Sequence, residues 1–302
     1  MTILVTGSNG LLGQKLSAIL ESQPNVDAVF TARNELAYPI KRGRFVAMDV
    51  SNKETVERVI SETQPEVIIH TAAMTQVDDC EIQKEACWLN NVLATEFLVQ
   101  AAGQAGSHFI QISTDFIFDG SDGPLEESAV PSPVNYYGAS KLAAEEIVKN
   151  STSAWTILRT VLVYGVAHDM SRSNIVLWVK KNLEEGKPIK VVNDQWRTPT
   201  LAEDLAMGCW LAAQKKKTGI FHVSGEEMMT PYDVAIRTAR FFKLDESLIT
   251  QTDSTQFRQP ALRPLRTGFI IKKAKRELGY QPHSFEEGLE LMKNQLTNFR
   301  KV

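Results

Sequence analysis

The sequence predicts an α/β protein built on a doubly wound parallel sheet, and three observations point there. Short apolar, β-branched runs of strand length alternate with helically periodic segments through the first half of the chain. The first run, Ile3-Leu4-Val5, breaks into Gly7-Ser-Asn9-Gly10-Leu11-Leu12-Gly13, and a helix follows with Leu16, Ile19 and Leu20 on one face. Beyond residue 165 the alternation gives way to polar, irregular sequence that returns to strand and helix only in places. This pattern predicts a Rossmann-type dinucleotide-binding domain over 1–165, rejoined by 200–224. A smaller, interleaved C-terminal substrate lobe is expected over 166–199 and 225–302.

At 302 residues the chain can bury a full core and suits one α/β unit with an appended lobe. Charged residues make up 23% and the formal charge is -3, so no basic face for nucleic acid is expected. Cys80, Cys87 and Cys209 form no CxxC pair, and their odd number argues for a reducing compartment rather than a disulfide framework. No apolar run approaches membrane length, and the first strand starts at residue 2, where a signal peptide would lie. The expectation is a cytoplasmic protein with a small-molecule substrate and neither membrane nor nucleic-acid partner. No ligand cluster for a metal is apparent.

In the opening stretch Gly7 permits the tight turn and Gly10 lets backbone approach a pyrophosphate. Gly13 lets the helix pack close on the strand, and the helix N-terminus supplies free N–H groups and partial positive charge. Asn9, Leu11 and Leu12 complete this cradle. The second strand, Val26 to Thr31, runs into Ala32-Arg33 with no carboxylate before Glu35. Arg33 would neutralise a 2′-phosphate, which tilts the cofactor toward NADP and leaves NAD open; the bland reading is an exposed loop arginine. A third strand, Arg44 to Met48, ends at Asp49-Val50. There Asp49 would accept from an adenine amino group with Val50 on the ring, or cap the helix of Val56, Val59 and Ile60, for which Ser51 is better placed.

The fourth strand, Val67 to His70, leads into small residues, Thr71, Ala72 and Ala73, where ribose and diphosphate would pass. His70 falls inside the strand and reads as core. A helix from Trp88 to Ala102 carries Asn90 and Asn91. Phe109 to Ile112 forms a fifth strand ending in Ser113-Thr114-Asp115, which puts hydroxyls at the carboxyl end that faces a ligand crevice.

Tyr137 and Lys141 then open a helix at i and i+4, one turn apart on one face. A phenol with a reference pKa of about 10 is a poor acid at neutral pH, and an ammonium one turn away is expected to lower it toward the working range. A bare YxxxK is common on helix surfaces. It gains meaning here from the hydroxyl-bearing strand end before it and the glycine loop at the start.

Farther on, a sixth strand is expected from Thr156 to Val163, and a polar, irregular stretch from His168 to Arg172. A helix from Asn174 to Glu185 and a strand from Ile189 to Val192 follow. Leu201 to Ala213 and Phe221 to Val223 read as helix and strand returning to the main sheet. Pro231 to Phe242 and Phe285 to Phe299 read as helices. The stretch from Thr250 to Arg266 reads as loop, and its Arg258, Arg263 and Arg266 are either a diphosphate clamp or solvated arginines. Trp196 would stack on a base or sugar, or plug the lobe interface.

On these residues the chain resembles the extended short-chain dehydrogenase/reductases, and within them the dTDP-4-dehydrorhamnose reductases of rhamnose biosynthesis. Thr6-Gly7-Ser-Asn-Gly10-Leu-Leu-Gly13 matches their glycine loop, and Ser113-Thr114-Asp115-Phe-Ile-Phe-Asp-Gly120 is similar to their STDYVFDG block. Tyr137-Gly-Ala-Ser-Lys141 matches YGxxK. Thr75-Gln-Val77-Asp78-Asp-Cys-Glu81 resembles TxVDxxE, and Asp194-Gln195-Trp-Arg197-Thr-Pro-Thr200 resembles DQxGxPT, with Arg197 in the glycine's place. Arg263-Pro264 falls where a late RP dipeptide is expected. Val161 stands where these reductases often carry a tryptophan.

The resemblance implies an NAD(P)H-dependent reductase of a 4-keto nucleotide sugar. Tyr137 would be the general acid, with Lys141 its partner and a ligand of the nicotinamide ribose. Thr114 would bond the substrate carbonyl oxygen. Asn91 would order the catalytic helix, and Asp115 would support the site. Thr75, Val77, Gln195, Arg197, Arg258 and Arg263 fall on the substrate side. The same parts would serve an epimerase or dehydratase, although dehydratases carry Glu or Lys beside the threonine. The regulatory β subunit of methionine adenosyltransferase also resembles these reductases, which keeps a cofactor-binding regulatory subunit as the second reading. A homodimer is left open.

Overall fold

The computed structural model describes residues 1–168 and 173–299; the stretch expected to be irregular after His168 lies outside the described residues. Its centre is a seven-stranded, wholly parallel sheet. The strands are β1 (Thr2–Thr6), β2 (Asp27–Ala32), β3 (Arg44–Ala47), β4 (Val67–His70), β5 (His108–Thr114), β6 (Trp155–Thr160) and, later in the chain, a last strand at Gly219–His222. Their spatial order runs from that last strand through β6, β5, β4, β1 and β2 to β3. Order reverses beside β1, and β1 pairs in register with β2 on one side and β4 on the other. The crevice beyond the strands' carboxyl ends at such a reversal is where this architecture binds ligands. Strands buried on both faces read as unbroken apolar runs, and Ile3, Leu4, Val5, Val67, Ile68 and Ile69 are fully buried.

Helices cover both faces. On one side lie α1 (Leu11–Glu21) and, after the sixth strand, a long helix at Ala202–Lys215 that packs against it. On the other lie α2 (Lys53–Thr63) and α5 (Ala94–Ala105), with α6 (Tyr136–Lys149) beside α5. The helix expected over Trp88–Ala102 is broader and broken. Short α3 (Val77–Ile82) and α4 (Lys84–Trp88) lead into a π-helical turn at Leu89–Leu93 before α5 begins.

The sixth strand is shorter than expected. It stops at Thr160, Leu162 takes φ +38°, and Val163–Tyr164 continues as β7, paired with β9 (Thr200–Leu201). Because Val161 to Val163 is apolar throughout, nothing in the side-chain pattern marks this break; Val161 itself is fully buried in the main core. After β6 come α7 (Ile175–Glu184), β8 (Ile189–Val192) and β9, and then α8 (Ala202–Lys215) and β10 (Gly219–His222), which belong to the main sheet and its cover. After these come α9 (Pro231–Phe242), β11 (Ile249–Thr252), α10 (Lys272–Leu278) and α11 (Phe285–Phe299). Residues 250–252, expected as loop, belong to β11, which pairs with β8 in parallel. Only Ile249 of its four residues is buried, so the strand lacks an apolar alternation to announce it. Phe269, Ile271, Ala274, Leu278 and Tyr280, expected in the substrate lobe, pack into the main core instead. Helix α2 is capped by Asn52, whose side chain accepts from the Thr55 amide at 2.8 Å, and not by Ser51 or Asp49.

Candidate active site

The loop between β1 and α1 has the form a diphosphate needs. Gly7 has φ +69°, in the left-handed region, and a Cβ there would sit 2.8 Å from the Ala72 backbone. A Cβ on Gly13 would meet the Gly7 carbonyl oxygen at 2.4 Å, so only glycine lets α1 start this close to the turn. Gly10 precedes α1 without a side-chain cap, and the Gln14 amide is the first to find its acceptor inside the helix, on Gly10. The amides of the first turn, at Leu11 and Leu12, therefore lie open to an anion. Asn9 turns away from the cradle: its amide donates to the Glu35 carbonyl at 2.9 Å and its oxygen accepts from the Ala37 amide at 2.9 Å. These residues fit a dinucleotide pyrophosphate.

Farther along the crevice, Thr71 Oγ1 donates to the Thr6 carbonyl at 2.6 Å and so holds Ala72 and Ala73 against β1. Arg33 and Asp49, expected to read different parts of an adenosine, meet each other: Arg33 Nε lies 3.2 Å from Asp49 Oδ2, and Arg33 also donates to Asn90 at 3.2 Å. Burial works to raise the Asp49 pKa, but bonds from Ser51 and the charge of Arg33 hold it below the usual carboxylate range. Val50 is buried beside it. His70 bonds Thr6 Oγ1 at 2.7 Å inside the sheet, and burial followed by the Lys141 charge brings it down to about 3, as a neutral core histidine.

The reactive end forms where β5 stops. Thr114 ends the strand, and its hydroxyl donates to Asp115 Oδ1 and accepts from the Phe116 amide, both at 3.2 Å. Helix α6 begins just above. Asn135 caps it by accepting from the Gly138 amide at 2.8 Å, and the Phe116 carbonyl lies 2.1 Å from where a Gly138 Cβ would stand. This close approach brings Tyr137 to Thr114, with the Phe116 ring edge-on to the phenol at 5.9 Å. Tyr137 and Lys141 are both buried.

The expected lowering of the phenol pKa by Lys141 is not what this geometry gives. Burial raises Tyr137 well above the ordinary phenol; Asp115 and the thiols of Cys80 and Cys87 add to this, and the Thr114 hydroxyl opposes it. Lys141 is itself brought down to about 8 by burial, against the raising effect of Glu145, Cys87 and Cys80. The lysine's charge is spent on these neighbours rather than on the tyrosine.

Asn91 ties the site together from inside the π-turn. Its side chain accepts from the Met74 amide at 2.8 Å and donates to the Met74 carbonyl and to Ser140 Oγ, both at 3.0 Å. One residue thus fixes the loop after β4 and the face of α6 between Tyr137 and Lys141. The extra residue of a π-turn re-aims this one side chain, a device that recurs at functional sites.

The structure does not gather the proposed substrate residues into one clamp. Arg263 is held by Asp78 in a two-pronged pair at 2.9 and 2.7 Å. Arg266 donates to the Gly123 carbonyl and lies over the Trp196 ring at 5.6 Å, while Arg258 is exposed. Thr75 is exposed, Val77 half-buried and Gln195 buried. Arg197 is buried and lies 3.3 Å from Asp115 Oδ2. Sequence reasoning missed Thr267, which donates to Asp115, and the packing of Cys80 and Cys87 behind Lys141. Nothing in the local spacing of those cysteines announces it, since Gln83 breaks the chain into two short helices between them.

The RmlD substrate binding domain matches residues 1–298. The chain belongs to this family. A dTDP-4-dehydrorhamnose reductase from Clostridium acetobutylicum has the same fold, with a TM-score of 0.88 and 30% identity over 98% of this chain and 100% of that one. A dTDP-4-dehydrorhamnose reductase from Bacillus anthracis, in complex with NADP, aligns with a TM-score of 0.84 and 27% identity over 97% and 99% of the two chains. The β subunit of methionine adenosyltransferase 2 from Xenopus laevis is 33% identical over 249 residues, 81% of this chain and 73% of that subunit. Among the described residues of this RmlD-family chain, no helix is long and apolar enough to cross a membrane.

Proposed function

We propose that this chain is an NADPH-dependent reductase of a 4-keto nucleotide sugar of the dTDP-4-dehydrorhamnose class. The observation that carries this is that Thr114 at the end of β5 meets Tyr137 at the start of α6, with Lys141 one turn along the same helix and Asn91 bracing it, beside an uncapped helix N-terminus. NADP appears in the Bacillus anthracis relative, and the glycine cradle here fits the same group. When bound, the nicotinamide supplies the hydride for the sugar carbonyl carbon.

The chain's own residues do the rest. The first-turn amides of α1 would hold the pyrophosphate, and Lys141 would bond the nicotinamide ribose. Thr114 donates to the carbonyl oxygen as charge develops there, and Tyr137 gives that oxygen its proton. Asp115 is committed to Arg197 and Thr267, which argues against a dehydratase role for it.

The test mixes purified protein, NADPH and dTDP-4-keto-6-deoxy sugar and follows nicotinamide absorbance. Wild type should oxidise NADPH, and Tyr137→Phe should lose roughly 10²- to 10⁴-fold in turnover with NADPH affinity nearly unchanged. NADPH binding with no oxidation of it would instead favour the regulatory-subunit reading that the methionine adenosyltransferase relatives support.

A further inference from the structure

Arg197 sits where a substrate ligand was expected, yet its donors are already committed. Nε faces Asp115 Oδ2 at 3.3 Å. Nη1 donates to the Trp196 carbonyl at 2.8 Å and the Leu265 carbonyl at 3.3 Å, and Nη2 donates to the Pro264 carbonyl at 2.6 Å. Three of the five N–H groups of the guanidinium thereby donate to backbone carbonyls, and Nε adds the ion pair to Asp115. Its plane also lies over the Phe116 ring at 5.6 Å, and Phe116 packs edge-on to Tyr137. Arg197 is 4% exposed and Asp115 2%, so each is the other's counter-charge in a medium that tolerates neither alone.

We propose that Arg197 is a positioning residue that acts through Asp115 on Thr114, leaving the Thr114 hydroxyl able to turn to the substrate oxygen. The inference rests on the reductase reading. In this structure the Thr114 proton points at Asp115 Oδ1. To donate to a carbonyl oxygen, Thr114 must give up that bond, and Asp115 must remain satisfied without it. Arg197 and Thr267 supply the remaining partners on Oδ2, so the hydroxyl can rotate without stranding a buried carboxylate.

The groups facing Asp115 are Arg197 from the loop before β9, Thr267 from the loop before α10, and Thr114 and Tyr137 on the catalytic side. Arg263 bears on Arg197 from behind. Burial pushes the Asp115 carboxyl up, and Arg197 is the strongest influence pulling it back. Without the arginine, Asp115 takes up a proton at a higher pH. A protonated Asp115 loses the charge that orders its neighbours and gains an O–H that competes as a donor beside the Thr114 hydroxyl, so activity is lost as pH falls through the raised value.

The deciding experiment uses the full chain and two readouts. Infrared titration of the protein alone follows the protonated-carboxyl stretch assigned by its loss in Asp115→Asn. A pH profile of kcat/KM for NADPH-driven reduction follows the acid limb. Arg197→Gln is expected to raise both midpoints by roughly one to three pH units. Arg197→Lys keeps the charge and should leave both near wild type even where turnover falls. Thr267→Val, a smaller perturbation of the same carboxylate, should raise them by less. A lysine variant that shifts like the glutamine, or midpoints that stay put while activity falls equally at all pH, would overturn the proposal. If no variant or wild type turns over, the reductase reading fails, while the infrared titration still decides whether Arg197 governs Asp115.

Discussion

At the residue scale the site is a set of buried charges that titrate against one another. Lys141 stands near 8 because burial disfavours its ammonium. Cys87 comes down to about 7 through bonds from Cys80, Ser140 and Asn91, against its burial, with the Lys141 charge helping. Two groups so close titrate as a pair. Since the ribose contact and the balance of the site need the ammonium, kcat/KM should fall as pH rises through this region. A thiolate at Cys87 props up the lysine, so Cys87→Ser removes that support, and the basic limb of the profile should move to lower pH and become a single ionisation. A limb that stays where it was would show that the thiol does not act on the lysine in solution. Tyr137 and Lys141 were read from a local i, i+4 spacing, and Thr114 from its place at the carboxyl end of an apolar run. Sequence reasoning misjudged the direction of the phenol's shift because burial, which the whole fold decides, outweighs the lysine, and Asp115, Cys80 and Cys87 add to it. The internal contacts of Arg197 were not legible either, because its acceptors, the carbonyls of Pro264 and Leu265, lie far along the chain.

At the scale of elements, the site is held by junctions rather than by helices as such. The π-turn at Leu89–Leu93 places Asn91, and no periodicity in the sequence betrays one extra residue per turn inside an otherwise helical run. The central strands of the main sheet, such as β1 and β4, were legible because they are dense apolar runs, whereas β11 and the break at Leu162 were not, one for too little apolar pattern and the other for too much. The buried pair Glu145–Arg159 then fastens α6 to β6 through two bonds at 2.9 and 2.7 Å. With α6 so anchored at its far side, the position of its near face depends on Asn91. Asn91→Ala removes bonds to the Met74 loop and to Ser140, leaving buried polar groups behind. It should destabilise the protein by about 1–3 kcal/mol in denaturant titration and lower turnover more than it weakens NADPH binding. Loss of stability with turnover unchanged would mean that α6 keeps its place without the asparagine.

Across the whole molecule, Phe269, Ile271, Ala274, Leu278 and Tyr280 join the C-terminal part to the sheet through the main apolar core, while the loop at the mouth of the crevice is held by a few polar contacts. Asp78 of α3 grips Arg263 and accepts from the Ala261 amide at 3.2 Å. Asn135, at the start of α6, donates to the Leu262 carbonyl at 2.7 Å. Both hold one loop, 261–263, over the mouth of the crevice. Because this carboxylate occupies the guanidinium, a diphosphate reaching Arg263 has to compete with Asp78, or else use the loop only as a wall. The two cases separate in Asp78→Ala. If the loop is a wall, releasing it should speed amide exchange over 261–263 and raise KM for the nucleotide sugar by about tenfold, the loss expected for a charge-assisted bond. If the freed arginine is instead a phosphate ligand, KM should fall. In both cases α1 and its cradle are untouched, so NADPH affinity should stay at the wild-type value. A variant that loses NADPH binding as well would show that the clasp supports the whole fold and not only the mouth of the site.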